Sequence, residues 1–230
     1  MFPSWVINSV HIRKKLEAED FDLKVPHSLV TKNTRSDRMK VKGNVIGVIE
    51  NQAPTRHLQV ELPVAGCQIR TDMSRDIAKL ALVKRHKGSN GIIVGLVNGF
   101  GFTEKCAVAS TVSHDSHNLI VVGTDESEMA TAANKLVEVG GGQVVVKDGK
   151  VIGLVELGIA GLMSKEKAEV VAKKAGTVLD GFKACGCRLN NPNMQLSLLA
   201  LVVIPELRLS DKGLVDVTRF EFIPVLEKAN

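Results

Sequence analysis

The stretch AVASTVSHDSHNLIVVGTDESEMATAANKLVEVGGGQVVVKDGKV, from Ala107 to Val151, alternates short apolar runs with turn-forming residues. Its first two apolar runs, Ala107 to Val112 and Leu119 to Gly123, have the length and β-branched content of strands. A helix should follow, because Asp125 can cap it and apolar residues recur at helical spacing up to Gly140-Gly141-Gly142, where it should stop. Strands interrupted by a single helix are typical of an α+β domain.

The flanking sequence continues this pattern. Gln143 to Lys147 and Val151 to Val155 predict a hairpin around Asp148-Gly149, and a second helix is expected from a cap at Ser164 to a stop near Gly186. Further strands are predicted at Val45 to Ile49, Ile77 to Val83, Ile92 to Asn98 and near Leu207, Leu209 and Val215, with a buried helix or strand at Met194 to Ile204. We therefore expect an α+β fold with antiparallel or mixed sheets and two or three packed helices. The chain lacks the eight alternating β/α pairs of a TIM barrel.

Two segments differ in character. Residues 1–42 form a polar lead-in that we expect to be an arm or linker, with one short strand drawn from Trp5, Val6, Ile7, Val10 and Ile12. Residues 43–230 carry the regular pattern and are the predicted α+β domain. A lone strand in the lead-in requires something to pair with, which suggests a missing partner.

Composition narrows the classes of partner. The formal charge is +5, and the densest basic patch runs from Arg70 to Lys87. Nucleic-acid binding favours aromatic residues beside such a patch, but only 3% of residues are aromatic, so we predict a solvated basic face and no nucleic-acid partner.

Cysteine spacing and hydropathy point to the cytoplasm. Cys67, Cys106, Cys185 and Cys187 lack metal-ligand spacing and are expected to be reduced thiols. No apolar run approaches the roughly 18 residues of a membrane span. The N-terminus also lacks the pattern of a signal peptide.

The densest polar cluster is Ser110 to Asn118, between two predicted strands. It brings His114, Asp115, Ser116, His117 and Asn118 into one connection, and these groups are costly to bury without partners. Four interpretations stay open: metal ligands, with His114 and His117 the weak candidates; a Ser/His/Asp catalytic apparatus; a polar lining for a ligand or a neighbouring domain; and an exposed turn.

Two further loops are candidates. Arg85-His86-Lys87-Gly88 has charges and backbone N–H groups that suit an anion, or it is a basic surface turn. Ile159-Ala-Gly-Leu-Met-Ser164 leads into a predicted helix N-terminus, where an electron-rich group is favoured, although a plain loop-to-helix entry is the stronger interpretation.

These segments, in this order, resemble the C-terminal domain of bacterial adenine deaminases. The resemblance rests on Ala107 to Val151, on RHKGS (Arg85 to Ser89), on IAGLMS (Ile159 to Ser164) and on VIPELRLSDKGLVDV (Val203 to Val217). The lead-in NSVHIRKKLEAEDFDLKVP, from Asn8 to Pro26, is similar to the stretch that follows the catalytic barrel in that family, so the resemblance covers nearly the whole chain.

The resemblance implies an aminohydrolase that converts adenine to hypoxanthine and ammonia, with Mn²⁺ or Fe²⁺ held in an amidohydrolase barrel and activating water. This chain has six histidines but no H-x-H pair of the barrel type. We therefore expect no metal to be bound by this chain and no independent activity. The expected partners are a barrel domain or subunit, adenine through the intact enzyme, and other copies in a homo-oligomer.

Three functions follow from these patterns. The chain is a part of an adenine deaminase, or a non-catalytic binding module that kept the fold, or a small metalloenzyme built on His114, Asp115 and His117. A barrel protein that co-purifies with the chain would favour the adenine deaminase part. Ligand binding without any partner would favour the binding module, and stoichiometric metal in the purified chain would favour the metalloenzyme.

Overall fold

A computed structural model describes residues 9–33, 36–89 and 91–229. In these residues the helices are α1 (Glu126–Val139), α2 (Ala168–Ala184) and α3 (Pro192–Leu198), with short 3-10 helices at Ala18–Phe21, His27–Leu29 and Met73–Arg75. The strands are β1 (Leu23–Lys24), β2 (Thr31–Asn33), β3 (Ser36–Val48), β4 (Thr55–Ala65), β5 (Gln68–Ile69), β6 (Ile77–Val83), β7 (Ile92–Asn98), β8 (Cys106–Ser110), β9 (Leu119–Gly123), β10 (Gly142–Lys147), β11 (Lys150–Glu156), β12 (Leu207–Ser210), β13 (Gly213–Asp216), β14 (Glu221–Ile223) and β15 (Leu226–Glu227).

Two sheets organise these strands. The larger has the order β1-β5-β4-β3-β7-β6-β9-β8-β10-β11, with β2 and β15 pairing to β3, and the smaller has the order β12-β13-β14. Neighbours are antiparallel except β3 and β7, which are parallel. The predicted α+β class with mixed sheets and two or three helices is confirmed.

Strand β6 lies at the centre of the larger sheet. All seven of its residues are buried, which explains why its sequence, apolar except for Lys79, does not alternate with polar residues. On one face of the sheet, α1 packs against β6, β8, β9 and β10. On the other face, Phe182 of α2, Leu196 of α3 and Leu209 of the smaller sheet complete a second core. The fold therefore has three layers, and the loops at the sheet ends are its accessible parts.

Helix α1 begins and ends where the sequence predicts. The Asp125 carboxylate accepts the N–H groups of Ser127 and Glu128, and Gly140 ends the helix with a left-handed φ of 82°. The spacing of Asp125 and Glu128 predicts a capping box, but this prediction is wrong, because Glu128 Oε1 accepts the Gly149 N–H at 2.8 Å instead. That bond ties α1 to the turn of the predicted hairpin, which β10 and β11 form around Asp148-Gly149.

Two boundaries differ from the prediction. Helix α2 begins at Ala168, with Lys167 at its N-cap, whereas Ser164 accepts the Glu166 N–H in the preceding loop. The start was predicted too early because serine is a favoured N-cap residue, but the Ser164 hydroxyl caps a turn in the loop and not α2. The run Met194 to Ile204 is not one element: α3 ends at Leu198, and the chain is irregular as far as β12.

Strand β3 is longer than the predicted Val45 to Ile49, because it extends from Ser36 to Val48. It therefore runs through Lys42, where the sequence pattern changes, and the division into 1–42 and 43–230 stays a prediction. Residues 5–7 of the expected lead-in strand lie outside the described residues, and Val10 and Ile12 lie in a segment without strand structure.

The basic patch is only partly the solvated face that we predicted: Arg70, Arg75 and Lys87 are exposed, but two of its members are buried. Lys79 is fully buried and its Nζ lies 2.6 Å from Glu126 Oε1, while Arg85 is also buried. Arg75 pairs with Asp72 at 2.6 Å. The described residues form no helix that is long and apolar enough to cross a membrane.

Candidate functional site: a polar cavity organised by Arg85

The register of the larger sheet brings the candidate loops to one end. Val83 at the end of β6 pairs with Leu119 at the start of β9, so Arg85 lies beside the loop that contains His117. Gly142 at the start of β10 pairs with Glu156 at the end of β11, so the 157–164 loop starts at this same end. The loops that carry RHKGS, HDSHN and IAGLMS therefore meet in space.

Arg85 joins these loops. Its side chain is almost fully buried, and Nε donates to the carbonyl oxygen of His117. Nη1 donates to the carbonyl oxygen and the hydroxyl of Ser9 at 3.1 and 2.8 Å, and Nη2 donates to the Ala160 carbonyl oxygen at 2.9 Å. Burial lowers the pKa of Arg85 to about 10, so the guanidinium remains charged at neutral pH. Since its donors point at protein acceptors, Arg85 positions three segments rather than holding an anion.

Thr111 forms a second set of hydrogen bonds that joins these loops. The buried Thr111 hydroxyl donates to the Gly161 carbonyl oxygen at 2.6 Å and accepts the Gly142 N–H at 2.8 Å. Gly161 has a φ of 70°, and a Cβ there would lie 2.9 Å from the Arg85 guanidinium. Only glycine allows the main chain to come this close.

The HDSHN loop folds back on itself. The Ser113 N–H donates to His117 Nδ1 at 3.2 Å, and the His117 N–H donates to the Ser113 carbonyl oxygen at 2.7 Å. Because Nδ1 accepts, the neutral His117 ring carries its proton on Nε2. Burial, followed by the charges of His114 and Arg85, lowers the pKa of His117, while Asp115 opposes that shift. His117 is thus a neutral imidazole with a fixed tautomer at pH 7.

His86 supplies a second imidazole of fixed tautomer. Its Nε2 lies 2.7 Å from the carbonyl oxygen of Ser116, which can only accept. The proton is therefore on Nε2, and Nδ1 is left as an acceptor. The loop thus offers one imidazole donor, from His117, and one imidazole acceptor, from His86.

Two open cavities adjoin these groups. The larger, of about 440 Å³, is lined by Ser9, His11, Arg85, His86, Ser116, His117, Ala160 and Leu162. The smaller, of about 310 Å³, is lined by Lys84, His86, Lys87, Ser89, Ser116, Asn118 and Asp211. His86 and Ser116 line both, so the two cavities form one polar face, which we call the loop face.

The predicted residues divide into two groups. Arg85, His86, Ser116, His117 and Asn118 line the loop face. His114 and Asp115 are not among its lining residues: the His114 N–H donates to the Ser197 carbonyl oxygen at 3.1 Å, and Asp115 is exposed.

The sequence did not single out Ser9, His11 or Thr111 as site residues. Ser9 and His11 lie in the lead-in that resembles the family, and Thr111 lies in the polar cluster, but nothing else in the sequence marks them. The contacts that place these residues at the site join distant parts of the chain.

The metal and triad interpretations find no supporting geometry. Within residues 9–33, 36–89 and 91–229, no three His, Cys, Asp or Glu side chains come together as a metal site. The His114 and His117 rings meet edge to face at 5.3 Å between centroids, and His117 Nδ1 is already occupied by Ser113. These residues therefore do not fit a metal ion, and we derive no step through one.

The fold and the loop face define a class: an α+β domain that presents a polar, loop-built cavity at one end of a mixed sheet. A family model described as the adenine deaminase C-terminal domain matches residues 52–221. The chain belongs to this family, and the resemblance noted from its sequence is confirmed.

Curated relatives extend the match over almost the whole chain. The adenine deaminase of Roseobacter denitrificans is 52% identical over 226 residues, and adenine deaminase 3 of Rhizobium meliloti is 51% identical over 225. The adenine deaminase of Moorella thermoacetica is 42% identical over 225 residues. Each match covers 98% of this chain but 36% of the relative, so the chain spans about a third of the length of these enzymes.

Proposed function

We propose that this chain is the accessory C-terminal part of an enzyme that hydrolyses adenine to hypoxanthine and ammonia. It packs on an amidohydrolase barrel that holds Mn²⁺ or Fe²⁺, and the assembly serves purine salvage or catabolism in the cytoplasm as a homo-oligomer. The observation that carries the proposal is the convergence of RHKGS, HDSHN and IAGLMS on Arg85. The loops that resemble the family are also the loops that form the cavity.

The chemistry of the loop face suits a position at the mouth of an active site. His117 offers a donor at Nε2, and the neutral form of the His86 ring offers an acceptor at Nδ1, because its Nε2 faces a carbonyl oxygen. This combination matches the mixed donor and acceptor edge of a purine or a layer of ordered water. We assign these groups the task of ordering or excluding solvent at the barrel mouth, or of contacting the purine. The water-activating metal belongs to the barrel, because this chain's described residues do not form its site.

The first test is conversion of adenine to hypoxanthine by the purified chain, with Mn²⁺ or Fe²⁺ supplied and bound metal quantified. We expect no conversion by the chain alone and conversion after a separately expressed barrel is added. Conversion by the chain alone, in proportion to bound metal, would contradict the accessory role. Failure of the barrel to associate or to gain activity would also contradict it.

Substitutions test the role of the loop. In the reconstituted enzyme, H117A should reduce turnover, and H114A should reduce it less, because His114 does not line the loop face and acts only through its edge-to-face contact with the His117 ring. The matched control is H27A, because His27 is exposed and does not line the loop face. Kinetics unchanged by both loop variants would refute a role for this loop at the active site.

A binding module that kept the fold is the alternative. The smaller cavity favours it, because Lys84, Lys87 and His86 surround a space with one acidic residue, Asp211. Calorimetric titration of the isolated chain with adenine and hypoxanthine distinguishes the two functions. Tight binding without any barrel favours the module, whereas binding that appears only in the complex favours the accessory domain.

A further inference from the structure

Two phenylalanines on the smaller sheet are unusually exposed. Phe220 is 85% exposed and Phe222 is 61% exposed. The other phenylalanines that the structure describes are all buried: Phe21, Phe100, Phe102 and Phe182. Exposed aromatic rings that lie close together are characteristic of protein interaction sites rather than of ordinary surface.

These rings are continuous with the loop face. Phe222 pairs with Val215 across β13 and β14, and its ring covers Gly213, where an added Cβ would lie 3.4 Å from Phe222 Cδ1. Two residues before Gly213, Asp211 lines the smaller cavity and pairs with Lys84 at 3.5 Å. Phe222 therefore lies at the rim of the same face, and Phe220, in the turn at the other end of β13, extends this aromatic strip away from the loop face.

The charged residues on either side of Phe220 neutralise each other, and Lys212 beside Gly213 is an exposed charge that has no ion pair among the described residues. Arg219 and Glu221, which flank Phe220, pair with each other at 2.6 Å, and Lys84 pairs with Asp211. A partner attracted by charge would find these groups already neutralised. The strip suits an apolar partner surface with a pocket for an aromatic ring.

The path of the chain indicates which partner covers this face. Ser9 and His11 line the larger cavity, so the polypeptide enters the domain here. In the relatives, the matching region is by family description C-terminal, and the remaining length is therefore joined upstream. An upstream domain connected in this way is held close to the loop face.

We propose that the aromatic strip anchors the upstream catalytic domain on this chain, so that docking covers the loop face. The proposal rests on the accessory function above and specifies the docking contacts. Phe222 and Phe220 insert into an apolar depression of the catalytic domain, and the loop face is enclosed beside them. Because the flanking charges are paired, the affinity should change little between low and moderate salt.

The test measures binding between the full 230-residue chain and the upstream portion of the Roseobacter denitrificans adenine deaminase, co-expressed with it and then titrated. The variants are F222T, which retains strand propensity, and F220N, which suits the left-handed φ of 53° at that position. The matched control is M73D. Met73 is 43% exposed and precedes β6, whereas the loop face lies beyond the other end of that strand. Circular dichroism and thermal unfolding confirm that each variant is folded.

We expect each phenylalanine variant to weaken binding at least tenfold and M73D to leave it unchanged. Equal binding by F222T, F220N and the parent chain would overturn the proposal that the aromatic strip is the docking surface. The proposed accessory function would not be affected by that result. Failure of the parent chain to bind would overturn the accessory function itself. Self-association of the isolated chain that F222T abolishes would assign the strip to a second copy and so overturn the proposed partner.

Discussion

Replacing Arg85 by methionine tests whether one side chain organises the candidate site. Arg85 makes four hydrogen bonds, and hydrogen bonds to a charged donor contribute about 1.5 kcal/mol each at the lower end, or about 6 kcal/mol together. Methionine also removes the cost of burying the charge. That cost is reflected in the lowering of the pKa of Arg85 from 12.5 to about 10, which corresponds to about 3 kcal/mol. The expected net loss is about 3 kcal/mol.

For a domain of this size, a loss of that magnitude lowers Tm by about 6–12 °C. Urea unfolding gives the free energy, and native-state hydrogen exchange should show faster exchange in the 111–118 and 157–164 loops together. The control is R56M, because Arg56 is exposed and surface substitutions usually change stability by less than about 0.5 kcal/mol. The reasoning is refuted if R85M unfolds within 1 kcal/mol of the parent chain, or if only one of the two loops becomes labile.

Three further predictions test other parts of the structure. G161A and G149A both place alanine at a φ near 70°, but an added Cβ meets the Arg85 guanidinium only at Gly161. In urea unfolding, G149A should lower the free energy of unfolding by about 1 kcal/mol and G161A by clearly more. Equal losses would contradict the close approach of Gly161 to Arg85. Burial raises the pKa of Glu128, so the free energy of unfolding falls as the pH rises from the ordinary pKa of a glutamate through the raised pKa. E128Q should be more stable than the parent chain at pH 7 and no more stable near pH 3. A difference that stays constant with pH would show that ionisation of Glu128 is not the cause. Ellman's reagent should react with one thiol, Cys67, in the folded chain and with all four thiols in denaturant. The other three cysteines are buried, and burial raises the pKa of Cys187 to about 11. Rapid reaction of a second thiol in the folded chain would refute this prediction.

The elements that sequence could predict are those with a strong local signal. Helix α1 has a capping aspartate, a clear apolar period and a terminal glycine, and the hairpin that follows has Asp148-Gly149 at its turn. Strand β4 was not predicted because most of its residues are exposed or half-buried and it contains Pro63, so it lacks a clear alternation. The start of α2 was misplaced because Ser164 is a favoured capping residue, whereas the residue at the N-cap is Lys167, whose side chain makes no cap hydrogen bond.

The candidate site shows the same division. The polar cluster around His117 was visible because its residues are adjacent in sequence. The role of Arg85 was not, because its acceptors are the main-chain oxygens of Ser9, His117 and Ala160, and a carbonyl group is present at every residue. No residue type at those positions indicates the contact, and only the register of the sheet brings them together.

The way in which Arg85 holds its neighbours has a consequence for engineering. Three of its four acceptors belong to the peptide backbone, so the loops keep their positions largely independently of the side chains that they display. Ala160 can therefore be exchanged for other residues compatible with its backbone angles without loss of the attachment, whereas His117 also holds its own loop through Nδ1. Side chains of the loop face that do not hold the backbone can thus be varied while the backbone stays attached. This makes the loop face suitable for directed evolution of new binding specificity with the rest of the domain unchanged.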